Sequence, residues 1–361
     1  MFDLMFSGFS ALIQPEPGPI AGPLSFVFGH IINFIYMGLE FLFTPVNALG
    51  FSIIIITFIV RGALVPSQLK MQQMGAKTRA AKPEMDKVRA KYGDTRDPEL
   101  RRKMAAEIQA INQKHGINML ASCLPLLVTM PIFIGLFAVF GRAFMFIPSI
   151  AAVYSDLSAA LIGLGSGFHN EVLRDIILPY TANVSIDPRV VEEMNRAIHV
   201  FSQSDWDTIF SNLVGTQYET IRYLYEAKLR VETFFGLNLV TVSGWAWPGI
   251  IIPILSAGTM AFSSWQNSRI NPTIDPQQKM IQRVMIFVLP LMFGWFTATA
   301  AAAVGLYWTM GNVFLIIQNF VVVKYFPHKI GLAQKPEKDD RDRRDRRDDR
   351  RDRRDDRRDR R

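Results

Sequence analysis

Before Arg61 the chain has no lysine and no arginine. A secretory leader carries a basic residue ahead of its apolar core, so the start of this chain does not read as one. No cysteine stands there to mark a lipoprotein leader. The single cysteine, Cys123, excludes a disulfide framework and a thiol metal cluster. The five stretches read below as spans contain no aspartate or glutamate, whereas ion-driven pumps and intramembrane enzymes place acidic, histidine or metal-ligand clusters there. There is also no glycine-rich loop to cradle a phosphate. The expectation is a protein that is not an enzyme, has no cofactor and no metal, and uses no nucleotide itself.

What is present is apolar. Of 361 residues 49% are hydrophobic and 12% aromatic, and the mean hydropathy of +0.15 already includes a tail made almost entirely of arginine and aspartate. Five stretches approach the length a helix needs to cross about 30 Å of hydrocarbon. A dozen basic residues lie between Lys70 and Lys114. The excess of basic residues in cytoplasmic loops therefore puts that segment inside and the N-terminus outside.

The expected organisation follows from these signals. Residues 1–23 form an extracellular N-terminus. Residues 24–46 carry His30, Asn33 and Glu40 and read as an amphipathic helix at the outer interface, with a further crossing as the rival. Span one is 47–65, followed by a basic cytoplasmic hairpin at 66–117. The hairpin breaks at Tyr92, Gly93 and Asp94 and restarts at Asp97, with Pro98 at the first helical position. Span two is 118–141, bent at Pro125 and Pro131. An acidic extracellular insertion occupies 142–247, with helical patterns near 188–203 and 217–235. Span three is 248–265 and a short basic cytoplasmic loop is 266–282. The apolar run that follows is too long for one helix, so it divides near Thr297 to Ala301 into span four at 283–298 and span five at 299–323. Trp245, Trp247 and Trp265 mark interfaces. The charged cytoplasmic tail is 324–361. Its Lys335 to Arg361 portion has 15 basic and 11 acidic residues, an excess of four positive charges, and too few apolar groups to fold alone.

Arg61 stands alone in the run Ile53 to Val60, where a charge costs on the order of 3 kcal/mol. Snorkelling to the headgroups is one explanation, and a water-filled groove that presents the guanidinium to something negative is the other. Thr57, Gln266, Asn312, Gln318 and Asn319 are candidates to line such a groove. Interhelical hydrogen bonding is the alternative role for each. Met71, Met74 and Met85 lie on the basic hairpin, where flexible thioethers suit contact with varied apolar segments. The rival is a plain basic helix pair on inner-leaflet lipid.

These residues carry a resemblance. The run from Gly50 to Gly62, followed by a proline and a basic hairpin, resembles the first core span of the YidC family of membrane protein insertases. The likeness continues through Gly116-Ile117-Asn118, Cys123-Leu124-Pro125-Leu126-Leu127 and Met130-Pro131-Ile132-Phe133. It resumes at Phe234 to Leu239, Asp275 to Met280, Gly305-Leu306-Tyr307-Trp308 and Ile316-Ile317-Gln318. Met119, Ala301 and Ala303 depart from the family's pattern, and the 145–233 region is far longer than its usual loop. No large N-terminal outer domain precedes the core, which suggests the compact type of single-membrane bacteria.

The resemblance implies an all-α membrane protein of the bacterial plasma membrane. Five core spans would surround a hydrophilic groove open to the cytoplasm and to lipid, with Arg61 as its positive charge. Thr57 and Trp308 fall where the family contacts substrates, and Gln266 falls near another groove position. The expected activity is nucleotide-independent insertion and folding of newly made membrane proteins. The partners are nascent membrane proteins and lipids, with the Sec translocon and the ribosome as further candidates, the latter through the hairpin or tail. A small-anion transporter would need an internal repeat and paired broken helices, which are not visible. A non-inserting assembly factor is the other rival.

Overall fold

A computed structural model describes residues 21–42, 46–93, 97–117, 119–180, 187–270 and 276–327; for 21, 119–128 and 276–278 it describes the backbone alone. The expected N-terminus up to residue 20 and the charged tail from 328 onward lie outside these residues, as does the Cys123 side chain. The protein is an all-helical membrane protein. Among the described residues, four helices are long and apolar enough to cross a membrane, namely Gly22–Leu42, Ala48–Tyr92, Lys279–Thr299 and Ala302–Tyr325. Their flanks expose large apolar side chains such as Phe34, Phe41, Phe287 and Leu291, which only a hydrocarbon solvent leaves unpenalised.

Several element boundaries differ from those drawn on the sequence. The helix of span one does not stop at Pro66 but runs unbroken over Ala48–Tyr92, through both Pro66 and Pro83. A proline removes one amide donor and crowds one carbonyl, which is not enough to end a helix whose neighbouring turns are intact. The segment expected to lie at the interface forms Ala21–Leu42, which by length and apolarity qualifies as a crossing. Spans two and three form the helices Met119–Phe140 and Ile251–Ile270. The division expected near Thr297 to Ala301 is present. One helix ends at Thr299, the next begins at Ala302, and Ala301 between them bridges to Val242.

The chain divides into two compact units. The first comprises Met1–Leu64, Leu124–Gln266 and Ile274–Ile316, and its core is continuous from Ile32, Ile53 and Leu136 to Tyr154, Ile198 and Tyr307. Within it, the fragment Phe234-Phe235-Gly236-Leu237 makes a two-residue hairpin, with Thr233 opposite Asn238 and Phe234 opposite Leu237. Both turn residues have positive φ, 47° at Phe235 and 83° at Gly236, as the hairpin turn matched to strand twist requires. The hairpin is fastened to the start of the Ala48–Tyr92 helix, because the Phe235 amide donates to Asn47 Oδ1 at 2.7 Å and Phe234 covers Gly50. A side chain at Gly50 would collide with that ring.

The 142–247 region is not a polar loop. Pro148–Ile162 buries Ile150, Tyr154, Leu157 and Leu161 against Val191–Val200 and Gly215–Glu232, building a helical core of its own. Pro148–Ile162 and Ser166–Tyr180 are bent by 97° relative to each other. Charged groups lie inside this core. Glu232 is fully buried and accepts from Lys228, Tyr154 and Asn238, and His199 Nε2 lies 2.7 Å from the Gly141 carbonyl. Burial lowers the His199 pKa to about 4 and pushes the Tyr154 phenol well up.

The second unit comprises Val65–Cys123, Asn267–Thr273 and Ile317–Arg361. Its hairpin is the expected one. Asp97 caps Pro98–Lys114 by accepting from the Glu99 amide, with Pro98 at the first position. The two arms are clasped by Lys91 and Tyr92 on Glu107 and by Lys114 and His115 on Glu84. No residue of Pro98–Lys114 is buried. Exposed pairs of this kind contribute little, typically about 0 to 1 kcal/mol each.

Candidate functional site

The site is built on the buried stripe of the Ala48–Tyr92 helix. Ile53, Ile56, Thr57 and Val60 recur at helical spacing and are buried, while Phe51, Ile55 and Ile59 face outward. Arg61 follows at the edge of that stripe, one turn beyond Thr57. Thr57 itself is fully buried and donates its hydroxyl to the Ile53 carbonyl, so at rest it offers no donor to a ligand.

Arg61 lies flat against the Ala302–Tyr325 helix at Gly311. A methyl group at Gly311 would come within 2.7 Å of Arg61 Nη2, 3.0 Å of Nε and 3.2 Å of Cζ. Only glycine leaves that space. The approach is supported by Phe58 against Phe314, with ring centroids 5.6 Å apart. Arg61 Nε is buried and has no hydrogen-bond partner among the described residues.

The other expected residues divide into those the fold gathers and those it does not. Asn312, next to Gly311, is buried and donates to Thr259 Oγ1 at 3.4 Å, and Gln266 Nε2 donates to the Ile316 carbonyl at 3.3 Å. Both tie the Ile251–Ile270 helix to Ala302–Tyr325. Trp308 stacks on Phe293 at 4.3 Å and meets Phe133 edge-on at 5.6 Å, leaving its buried indole Nε1 without a partner. Gln318 belongs to the second unit, where its buried amide is likewise without a partner and the neighbouring Asn319 accepts from Gln72 at 3.1 Å. On the hairpin, Met71 is 43% exposed and Met74 half-buried, but Met85 is 8% exposed and turned inward. Of the three methionines expected to meet substrate, Met85 is not available on the surface.

Sequence reasoning passed over Gly311, Thr259, Ser256 and Thr309. Ser256 Oγ, Thr309 Oγ1 and Gln266 Oε1 join Arg61 Nε and Trp308 Nε1 as buried polar atoms with no described partner, all on the same three helices. The available signal was a run of hydroxyl residues along one face of Ile251–Ile270, with Ser256, Thr259 and Ser263 at three- and four-residue steps. Left dry, each such atom costs about 1 to 3 kcal/mol, which is more than a native protein spends without a use.

The family described as 60Kd inner membrane protein matches residues 41–186 and 208–329. The chain is similar to a membrane protein insertase YidC of Oceanobacillus iheyensis, 23% identical over 320 residues that cover 89% of this chain and 91% of the relative. It is similar to the membrane protein insertase MisCA of Bacillus subtilis, 27% identical over 273 residues, or 76% of this chain and 69% of the relative. It is also similar to the inner membrane ALBINO3-like protein 1 of Chlamydomonas reinhardtii, 23% identical over 308 residues, 82% and 48% of the two chains. The matched residues include the Arg61 helix, Trp308, Gly311 and the Phe234 hairpin, and on that extent of agreement the chain belongs to the 60Kd inner membrane protein family, the family of the YidC insertases.

Proposed function

We propose that the protein is a membrane protein insertase that works without a nucleotide, through a hydrated intramembrane groove whose charge is Arg61. The observation that carries this reading is the buried Arg61 Nε without a described partner, in the same unit as the likewise unpaired buried atoms Ser256 Oγ, Gln266 Oε1, Trp308 Nε1 and Thr309 Oγ1. Water in a groove satisfies such atoms without a fixed protein partner. A guanidinium there attracts an acidic segment more strongly than it would in bulk water, because the effective dielectric is lower. The substrate's polar outer segment enters beside Arg61, Gln266 and Asn312, while its apolar segment passes Trp308 and the exposed flank of Ala302–Tyr325 into lipid. The hairpin, unburied along its second arm, makes the first contact through Met71 and Met74. The N-terminus and the 142–247 region face outward and the hairpin and C-terminus face the cytoplasm. Nascent membrane proteins are the substrates, and the Sec translocon and the ribosome are partners to test.

The test is reconstitution into liposomes, scoring protease protection of a small single-span protein with an acidic outer segment. Arg61→Lys retains most insertion and Arg61→Ala impairs it. Unchanged insertion of every acidic substrate by Arg61→Ala would remove the electrostatic step. Ribosome co-sedimentation of the full chain against one ending at Gln334 assigns any ribosome contact to the tail or the hairpin, since phosphate contacts weaken steeply with salt.

A further inference from the structure

The helices Ile251–Ile270 and Ala302–Tyr325 meet along a polar seam. A methyl group at Gly305 would come within 2.2 Å of Ile252 Cγ2, Asn312 donates to Thr259, and Gln266 donates to the Ile316 carbonyl. These contacts advance together along both chains, so the two helices run parallel. On the first, positions 252, 256, 259, 263 and 266 follow the four-and-three spacing of a helix seam. On the second, 305, 309 and 312 do the same, which sets Ser256 across from Thr309.

Ser256 is fully buried, Thr309 is 2% exposed, and neither hydroxyl has a partner among the described residues. Other hydroxyls of these spans are satisfied locally. Those of Ser52, Thr57, Thr259 and Thr297 donate to carbonyls one turn back on their own helices, the ordinary solution for a hydroxyl inside a membrane helix. Ser256 and Thr309 make no such bond. Gln266 Oε1, farther along the same seam, is also buried without a described partner.

Arg61 lies against Gly311, the neighbour of Asn312, and so beside the middle of this seam. A guanidinium has five donors and no acceptor. It can hold a carboxylate or a carbonyl, but it offers nothing to the N–H groups of an entering chain, and each N–H left unpaired away from water opposes entry. Hydroxyl and carboxamide oxygens accept. Ser256 and Gln266 stand ten helical positions apart, about 15 Å, a distance that an extended chain covers in about five residues.

We propose that the seam is the acceptor side of the substrate site, where Ser256 Oγ, Thr309 Oγ1 and Gln266 Oε1 take backbone N–H groups from a short, extended, uncharged stretch of the entering chain. The inference rests on the insertase reading and deepens it. Arg61 selects charge, while the seam serves any sequence, because every residue except proline carries the N–H.

The test uses synthetic single-span peptides with an uncharged outer segment, each with one backbone amide of that segment replaced by an ester. The ester deletes the N–H and keeps the extended shape. Initial insertion rates above those of protein-free liposomes are measured with the full-length protein. The wild type is expected to insert the amide peptide up to about tenfold faster than the ester peptide at one or two positions. The double variant Ser256→Ala, Thr309→Val is expected to insert both at the slower rate, with a melting curve like that of the wild type. Arg61→Ala keeps the preference for amide over ester. Equal rates for amide and ester at every position in the wild type, or a preference that the double variant retains, overturns the proposal and leaves the seam a place for water only. If the wild type inserts no peptide at all, the insertase reading fails. Binding of the same peptides, dye-labelled, to the protein in lipid nanodiscs then decides this site alone, and equal affinity for amide and ester overturns it.

Discussion

Enlarging Gly311 moves the Arg61 charge without removing it. A methyl group there sits 2.7 Å from Nη2, about 1 Å inside ordinary contact, so Gly311→Ala displaces the guanidinium by about 1 Å, and Gly311→Val by about 2 Å. At an effective dielectric of about 20, a guanidinium 4 Å from a substrate carboxylate is worth about 4.2 kcal/mol, falling to about 3.3 at 5 Å and about 2.8 at 6 Å. The losses are about 0.8 and 1.4 kcal/mol, or roughly fourfold and tenfold in partitioning of an acidic segment into the groove. The assay is the initial insertion rate in proteoliposomes for two substrates that differ only in an acidic or a neutral outer segment. The expected result is a graded loss, Val beyond Ala, confined to the acidic substrate. Equal losses on both substrates would mean that packing between the Ala48–Tyr92 and Ala302–Tyr325 helices, not charge, was disturbed. No loss from either substitution would refute the placement of Arg61 as the attracting group.

Three further outcomes follow from the same structure. Glu232→Gln strands the buried Lys228 ammonium and should destabilise the 142–247 region by about 3 kcal/mol or more, read as lost protection in hydrogen exchange at Tyr154, His199 and Tyr225. Because the folded His199 pKa is lowered to about 4, the unfolded chain binds the extra proton between there and about pH 6.5, so stability falls as pH drops through that window, by up to roughly 3 kcal/mol. Melting curves of the wild type against His199→Gln measure it, and identical pH slopes would remove His199 as the cause. A photo-cross-linker at Met71, 43% exposed, should capture nascent chains while one at Met85, 8% exposed, should not; equal capture at both would mean the hairpin opens before substrate arrives.

Much of the site was legible locally. Arg61 declared itself by standing in an apolar run, Asp97 and Pro98 announced the second arm, and the excess length of the apolar run after Val284 required the break at Thr299 to Ala302. That span one and the first arm of the hairpin join into one helix was not legible in the sequence, where composition changes at Pro66; the intact turns on both sides outweigh the one hydrogen bond the proline removes. The helix Pro148–Ile162 was missed inside a region whose average composition is acidic and polar. Its apolar residues serve neither a loop nor a straight crossing but a helical core closed by Val191–Val200 and Gly215–Glu232.

The sequence by itself determined the class of the protein, its long apolar helices and the isolation of the Arg61 charge among apolar residues, because transfer into hydrocarbon depends on the composition of a continuous segment. Tertiary structure alone decided what faces that charge. Gly311 is 250 positions from Arg61 and Glu232 is 78 positions from Tyr154, and no local pattern encodes such pairings. They arise when packed helices bring a missing side chain opposite a guanidinium, or close a carboxylate away from water against the phenol of another helix.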